Sequence, residues 1–249
     1  IKRSADAVRY LVTSDIHGNL AALEAVLDDA PDFDELWCLG DLVGYGPKPN
    51  ECIQRVRNLP HTSLAGNHDW AALGKIDLGS FNAVARTANE WTQEQLTSSS
   101  RTYLSGLPTS LTKGDFTLAH ASPREPVWEY IMDTSTAYQN FDHFETPFCL
   151  VGHTHVPVYF ELDEERQRCD AILPPLPEPI GLGPKRAIIN PGGVGQPRDG
   201  DPRASYALLD TQEMTWSFHR VAYAVELTQE RMRAAGLPRR LVDRLEIGR

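Results

Sequence analysis

The chain has 249 residues, of which 41% are hydrophobic and 23% charged, with 24 Lys and Arg against 34 Asp and Glu for a formal charge of −10. These are ordinary values for a folded chain long enough to bury a sizeable core. The acidic balance disfavours long nucleic acid and anionic lipid as partners, and no apolar run is long enough to span a membrane.

The sequence begins at Ile1 rather than Met, and the stretch IKRSADAVRY lacks the apolar segment of a signal peptide, so a cytoplasmic location is expected. Residues 8–13 form an apolar run of buried-strand type that ends at Asp15-Ile16-His17-Gly18. Asn19 is placed as a helix N-cap, with Leu20, Leu23 and Leu27 at helical spacing behind it. A second strand at 35–39 ends at Gly40-Asp41, a helix follows over about 50–57, and a third strand at 62–65 ends at Gly66-Asn67-His68-Asp69. This β-α-β-α-β rhythm implies a sheet with helices packed on it. Residues 70–110 read as mainly helical, with Phe81, Val84, Ala88 and Trp91 as a core-facing set. Strands resume at 115–119, ending at His120, at 148–151, ending at Gly152-His153-Thr154-His155, and at 156–160. The Pro- and Gly-rich stretch 174–184 reads as an irregular connector. A strand at 187–189 ends in Asn190-Pro191-Gly192-Gly193, residues 205–209 and 215–219 form a closing antiparallel pair, and 227–247 is a charged helical tail broken at 236–238. The arginines of that tail read as a solvated face. The whole chain, 1–249, is read as one domain with a helical insertion at 70–110 and a helical tail at 227–249. Its four cysteines, Cys38, Cys52, Cys149 and Cys169, make no Cys-x-x-Cys pair, and Cys38 and Cys149 read as small buried hydrophobes.

Asp15, Asp41, Asn67, His120 and His153 each fall close behind a strand-like run, the edge at which open α/β sheets bind ligands. Taken singly, each has a plain alternative: Asp-x-His or Gly-Asp as a solvated turn, Asn67 as a left-handed turn residue, His120 as a hydrogen-bonded core histidine. Together they form a set of carboxylate, amide and imidazole donors with no thiolate. That set suits Mn²⁺, Fe, Zn²⁺, Co²⁺ or Ni²⁺, with Mn²⁺ the ion expected to serve in vitro. Two such ions can share a carboxylate and a water, acidify that water to a hydroxide nucleophile and neutralise phosphoryl charge. His68, beside Asn67, is suited to protonate a leaving alkoxide.

These motifs, Asp15-Ile16-His17, Gly40-Asp41-Leu42-Val43-Gly44, Gly66-Asn67-His68-Asp69, His120-Ala121-Ser122 and Gly152-His153-Thr154-His155, resemble the calcineurin-like metallophosphoesterase superfamily and its small YfcE-like phosphodiesterase group. The resemblance implies a four-layer α/β/β/α sandwich of two mixed β-sheets flanked by helices. It implies one metal on Asp15, His17, Asp41 and His155 and a second on Asp41, Asn67, His120 and His153, with Asp41 as bridge and His68 near the leaving oxygen. Gly44 and Tyr45 stand where the protein-phosphatase branch has Asp and Arg, which leaves His68 without an identified partner. Ala121 and Gly193 depart from the Gly and Ser more usual there. Arg198 and Arg124 are read as phosphate-binding candidates, with a surface salt bridge as the alternative for Arg198. The expected activity is a metal-dependent phosphodiesterase acting on small phosphoesters or nucleotides. The alternatives are a phosphomonoesterase or phosphoprotein phosphatase, a non-catalytic metal-binding scaffold, and a nuclease, the last disfavoured by the lack of a basic stripe.

Overall fold

The computed structural model describes residues 8–174 and 178–249. The opening IKRSADA and part of the 174–184 connector, both read from sequence above, lie outside the described residues. In chain order the elements are β1 (Arg9–Thr13), α1 (Leu20–Asp29), β2 (Glu35–Cys38), α2 (Pro49–Arg57) and β3 (His61–Ser63). Next come α3 (Asn67–Ala72), α4 (Ala83–Gln95), α5 (Ser98–Ser105), β4 (Ser110–Lys113), β5 (Phe116–Ala119), α6 (Thr134–Asn140), β6 (Phe148–Leu150), β7 (Val158–Asp163) and β8 (Arg168–Ile172). The chain closes with β9 (Ile180–Gly181), β10 (Ala187–Asn190), β11 (Ala204–Asp210), β12 (Thr215–Val221), α7 (Val225–Ala234) and α8 (Arg239–Asp243). Asn19 does cap α1: its Oδ1 accepts from the Ala22 N–H, satisfying one of the helix's free donors. α2 starts on Pro49, whose missing N–H and fixed φ suit a first turn.

One sheet runs β3-β2-β1-β11-β12-β9 and the other β4-β5-β6-β10-β7-β8. Both are mixed. β1, β2 and β3 are parallel, as are β5, β6 and β10, while the remaining pairs are antiparallel. Strand alternation assigns each face. On β1, Val12 joins Trp37, Phe116, Leu150, Ile189 and Trp216 in the core between the sheets. Its neighbour Leu11 turns the other way, to Leu23 and Val26 of α1 and Ile53 and Val56 of α2. On the second sheet Cys149 and Ile188 point outward to Ala137 of α6 and Phe141, and their chain neighbours point inward. The result is the α/β/β/α layering that the family resemblance implied. The four cysteines are free and buried.

α7 and α8, with Leu245 just beyond α8, pack on α3 and α4 through Met232, Leu241 and Val242 against Ala71, Ala85 and Ala88, with Tyr45 in the same cluster. Phe81 and Ala88 are buried there, as the sequence suggested, while Val84 and Trp91 are only half-buried. Four elements have no counterpart in the sequence reading. β4 and β8 are largely exposed edge strands, α6 (TSTAYQN) lacks an apolar period, and β9 falls inside the connector read as irregular. Asp133 sets the start of α6 by accepting from the N–H groups of Ser135 and Thr136. No helix among the described residues is long and apolar enough to cross a membrane.

Candidate metal centre

The C-terminal ends of β1, β2, β3, β5 and β6 converge, and the loops that follow them carry the seven side chains singled out above. Those loops turn sharply. Asp15, His17, Asp41, His153 and His155 all have positive φ, between 49° and 65°, as does Tyr45. A left-handed backbone is unfavourable for residues with a Cβ and persists where surrounding contacts over-determine it. Here the contacts are backbone bonds between loops: the Asp15 N–H donates to Gly40 O at 3.0 Å, the His17 N–H to Asp41 O at 2.9 Å, and the Gly195 N–H to Asp15 O at 2.9 Å. Asn67 departs from the turn alternative, being the first residue of α3. Asn190, at the end of β10, braces the His153–His155 loop by donating from Nδ2 to Gly152 O at 2.7 Å and to Thr154 Oγ1 at 3.0 Å.

Two buried groups result, Asp15 with His17 and His155, and Asp41 with His120 and His153. Within each group the candidate donor atoms lie within 4.8 Å of one another. Asp41 belongs to both neighbourhoods: its Oδ2 is 3.7 Å from His17 Nε2 and 3.4 Å from His120 Nε2. Asn67 joins the second group, its Oδ1 lying 3.2 Å from His120 Nε2. His17 Nε2 is 3.1 Å from His155 Nε2, and Asp15 Oδ1 is 3.2 Å from His155 Nε2.

Each carboxylate is divided between two tasks. Asp15 Oδ2 accepts from the His153 N–H at 3.0 Å and Asp41 Oδ1 from the His68 N–H at 2.8 Å. The other oxygens, Asp15 Oδ1 and Asp41 Oδ2, are buried without a hydrogen-bond donor, and His153 Nε2 is equally unpartnered. Buried polar atoms are rarely left so. The imidazoles are polarised the same way. Nδ1 of His17, His120 and His155 donates to the carbonyl oxygens of Val43 (3.1 Å), Leu39 (2.8 Å) and Gln196 (2.6 Å). That fixes each Nδ1–H and turns Nε2 inward, the arrangement by which metal-binding histidines are oriented. The donor set and its unpaired atoms therefore fit two divalent cations.

Burial alone would raise the carboxyls of Asp15 and Asp41, but neighbouring histidines outweigh it and hold both below the ordinary carboxylate range, His155 acting on Asp15 and His120 on Asp41. His17 and His155 are depressed by burial, and His153 is brought down to about 3 by burial and by the charge of His120. His120 is the exception: burial opposes its charge, yet the Asp41 carboxylate raises it to about 9.

His68 stands beside this centre, with Nδ1 donating to Asn89 Oδ1 at 3.1 Å. Asn89, on α4, is the partner for which the sequence offered no candidate. The His68 ring is 4.3 Å from Tyr45 and 5.1 Å from Phe81, and burial lowers it to about 4 against the pull of Asp41. Gly44 is the residue that permits this packing: at φ 88° a side chain there would be strained, and a Cβ would lie 2.7 Å from His68 Nδ1. Asp69, quoted in the motif without a role, pins two loops by accepting from the Val43 N–H at 3.1 Å and the Gly66 N–H at 2.9 Å. Burial and the nearby Asp41 charge push it up to about 7.

Arg198 borders the centre. Its guanidinium carbon lies 5.8 Å from the Tyr45 ring, its Nη2 donates to Gln196 Oε1 at 3.0 Å, and its buried Nε has no partner. Tyr130, 46% exposed, lays its ring 3.9 Å from that of His153. Arg124 is engaged elsewhere: its guanidinium is paired with Glu129 and donates to Gln139 Oε1 at 3.0 Å.

Residues 8–214 match the model of the calcineurin-like phosphoesterase superfamily domain. The crystal structure of a metallophosphoesterase from Sphaerobacter thermophilus is 50% identical, with a TM-score of 0.90 over 98% of this chain and 100% of that one. An uncharacterized protein of Methanocaldococcus jannaschii is 37% identical over 96% of this chain and 97% of its own length. A symmetrical bis(5'-nucleosyl)-tetraphosphatase of Psychromonas ingrahamii is 40% identical over 63 residues, 23% of either chain.

Proposed function

This chain belongs to the calcineurin-like phosphoesterase superfamily, hydrolases acting on phosphoester bonds, and on that premise we propose that it is a metal-dependent phosphodiesterase of small phosphoesters or nucleotides. The observation that carries the reading is the pair of buried Asp/His groups joined through Asp41, in which Asp15 Oδ1, Asp41 Oδ2 and His153 Nε2 are buried without partners while Nδ1 of His17, His120 and His155 each donates to a loop carbonyl. Asp15, His17, Asp41 and His155 would hold one divalent ion, and Asp41, Asn67, His120 and His153 the other. When bound, such a pair supplies an acidified water and positive charge against the phosphoryl oxygens.

The chain's own residues do the rest. Arg198, with an unpaired Nε facing a half-buried setting, offers a fork of donors to a phosphoryl oxygen. His68, anchored by Asn89, presents Nε2 for the leaving oxygen. Its value of about 4 is that of the site without ions or substrate; there a phosphodiester anion beside the ring favours its protonated form and divalent ions oppose it. Tyr45 and Phe81 keep water from the ring's faces. The short tetraphosphatase match favours nucleotides among the small phosphoesters.

Bis-p-nitrophenyl phosphate with Mn²⁺-loaded protein tests the reading, alongside p-nitrophenyl phosphate to separate diester from monoester preference. Hydrolysis should be faster on the diester, and Asp41→Asn should abolish it and lower the bound metal below two ions per chain. Full activity in Asp41→Asn, or in metal-stripped protein, refutes the proposal.

A further inference from the structure

A groove of about 990 Å³ opens beside the candidate centre. One wall is Tyr45, whose ring also lies 4.6 Å from His17 and 4.3 Å from His68, so the groove and the centre share a side chain. The opposite wall is the tail: Arg239, Arg240, Arg244 and Arg249 all line it. Asn82, the N-cap of α4, and the first turn behind it complete the lining, adding the positive end of a helix dipole to the guanidinium groups.

The charge balance of this groove is unusual for so acidic a chain. Its one carboxylate, Asp243, is taken by Arg239 at 3.1 Å. Arg240 forms no ion pair among the described residues, and Arg244 donates to the main-chain oxygen of Arg249. Arg244 is half-buried, and burial, then the charges of Arg198 and Arg240, bring its guanidinium down to about 10. Like charges gathered and partly desolvated weaken a fold when nothing balances them. Tyr45 links this groove to Arg198, whose guanidinium carbon lies 5.8 Å from the same ring.

We infer that this groove is the subsite for phosphate groups that the substrate carries beyond the one cleaved, so that the preferred substrates are polyphosphorylated, such as nucleoside or dinucleoside polyphosphates. The planar guanidinium forks match phosphate oxygens two at a time. A phosphate chain reaching past Tyr45 would supply negative charge to a groove lined by four arginines and one aspartate. The inference rests on the phosphoesterase reading for what happens at the centre, but anion binding in the groove requires no turnover.

The test compares the metal-loaded parent with Arg240→Gln/Arg244→Gln at one fixed free Mn²⁺ concentration. For bis-p-nitrophenyl phosphate, with a single phosphate, kcat/KM should stay within about twofold. For diadenosine tetraphosphate, KM should rise ~10- to 100-fold, the scale of losing one or two charge-assisted hydrogen bonds. Calorimetric titration with inorganic tripolyphosphate should show a loss of the same order, and Arg244→Lys should recover part of it. Equal KM values for the tetraphosphate in parent and variant overturn the inference and leave the phosphoesterase reading intact. If neither substrate turns over but tripolyphosphate binding still falls in the variant, the groove stands and the phosphoesterase reading fails. Tighter binding of a single-stranded oligonucleotide than of tripolyphosphate at 150 mM salt also overturns it, in favour of nucleic acid. Should the double variant lose metal or helical signal, the exposed Arg240→Gln alone carries the comparison.

Discussion

Replacing Asn89 by leucine separates the orientation of His68 from its chemistry. Asn89 is wholly buried, His68 is 4% exposed, and the bond between them measures 3.1 Å. Leucine has a similar volume and no acceptor, so Nδ1–H of His68 loses its partner in a dry setting. An unsatisfied buried donor costs about 1–3 kcal/mol, enough to let the ring leave its present attitude. If that full amount is felt only in the transition state, turnover falls roughly 5- to 150-fold. KM and the metal content should not change, because Asn89 makes no contact with the two Asp/His groups. Folding stability should drop little, since Asn89 Nδ2 already lacks a partner and leucine removes that orphan as well. Asn89→Asp, which keeps an acceptor at the same place, should recover part of the rate. The assay is steady-state kinetics on a diester with an alkoxide leaving group, which needs a proton more than p-nitrophenolate does. In a His68→Ala background, itself slowed ~10²–10⁴-fold, Asn89→Leu should have no further effect. An unchanged kcat in the single variant, or losses that multiply in the double one, would refute the role assigned to this pair.

Two further outcomes follow from the centre. His120 is raised to about 9 by Asp41, so in metal-free protein its protonated form stabilises the fold fully below pH 6.5, and that contribution fades as pH passes 9. Metal uptake must expel this proton, so affinity measured by competition with a chelator should climb about tenfold per pH unit from 7 to 9 and then level; a flat profile refutes the assignment of His120 as a ligand. Gly44→Ala would place a Cβ 2.7 Å from His68 Nδ1 at a φ of 88°, so kcat should fall at least ~10-fold with metal stoichiometry retained, and an unimpaired Gly44→Ala enzyme would count against the proposed attitude of the ring.

The convergence of polar side chains at strand ends was legible because strands, short loops and donor residues alternate along the sequence itself, whereas the four layers were implied by the resemblance of those motifs to a known family. Asp15-x-His17 and His153-x-His155 announce themselves locally. What bound these side chains to one another was not visible. The strands end sooner than the apolar runs suggest, β6 at Leu150 and β3 at Ser63, ahead of a left-handed residue at His153 and a helix start at Asn67. Asn89 carries no signal at all: it is one polar residue in a helix, 21 positions from the imidazole it touches. Tyr45 read only as a departure from a family pattern, and the tail arginines read as a solvated face. Neither reading could anticipate that α7 and α8 fold back onto α3 and α4, which is a matter of where distant apolar residues meet. α6 and β8 escaped for a different reason: α6 is largely polar and fixed by its Asp133 cap, and β8 is a largely exposed strand fixed by pairing along a single edge of β7.

The two-way division of the aspartates has a consequence for how the site survives without its ions. Because Asp15 and Asp41 each grip a backbone N–H with one oxygen, and the imidazoles lean on carbonyls of the loops opposite, the vessel is shaped by the polypeptide rather than by its contents. A vessel so shaped would take up ions without being rebuilt. It should accept whichever borderline cation the surroundings provide most freely, leaving the choice of metal to supply more than to fit.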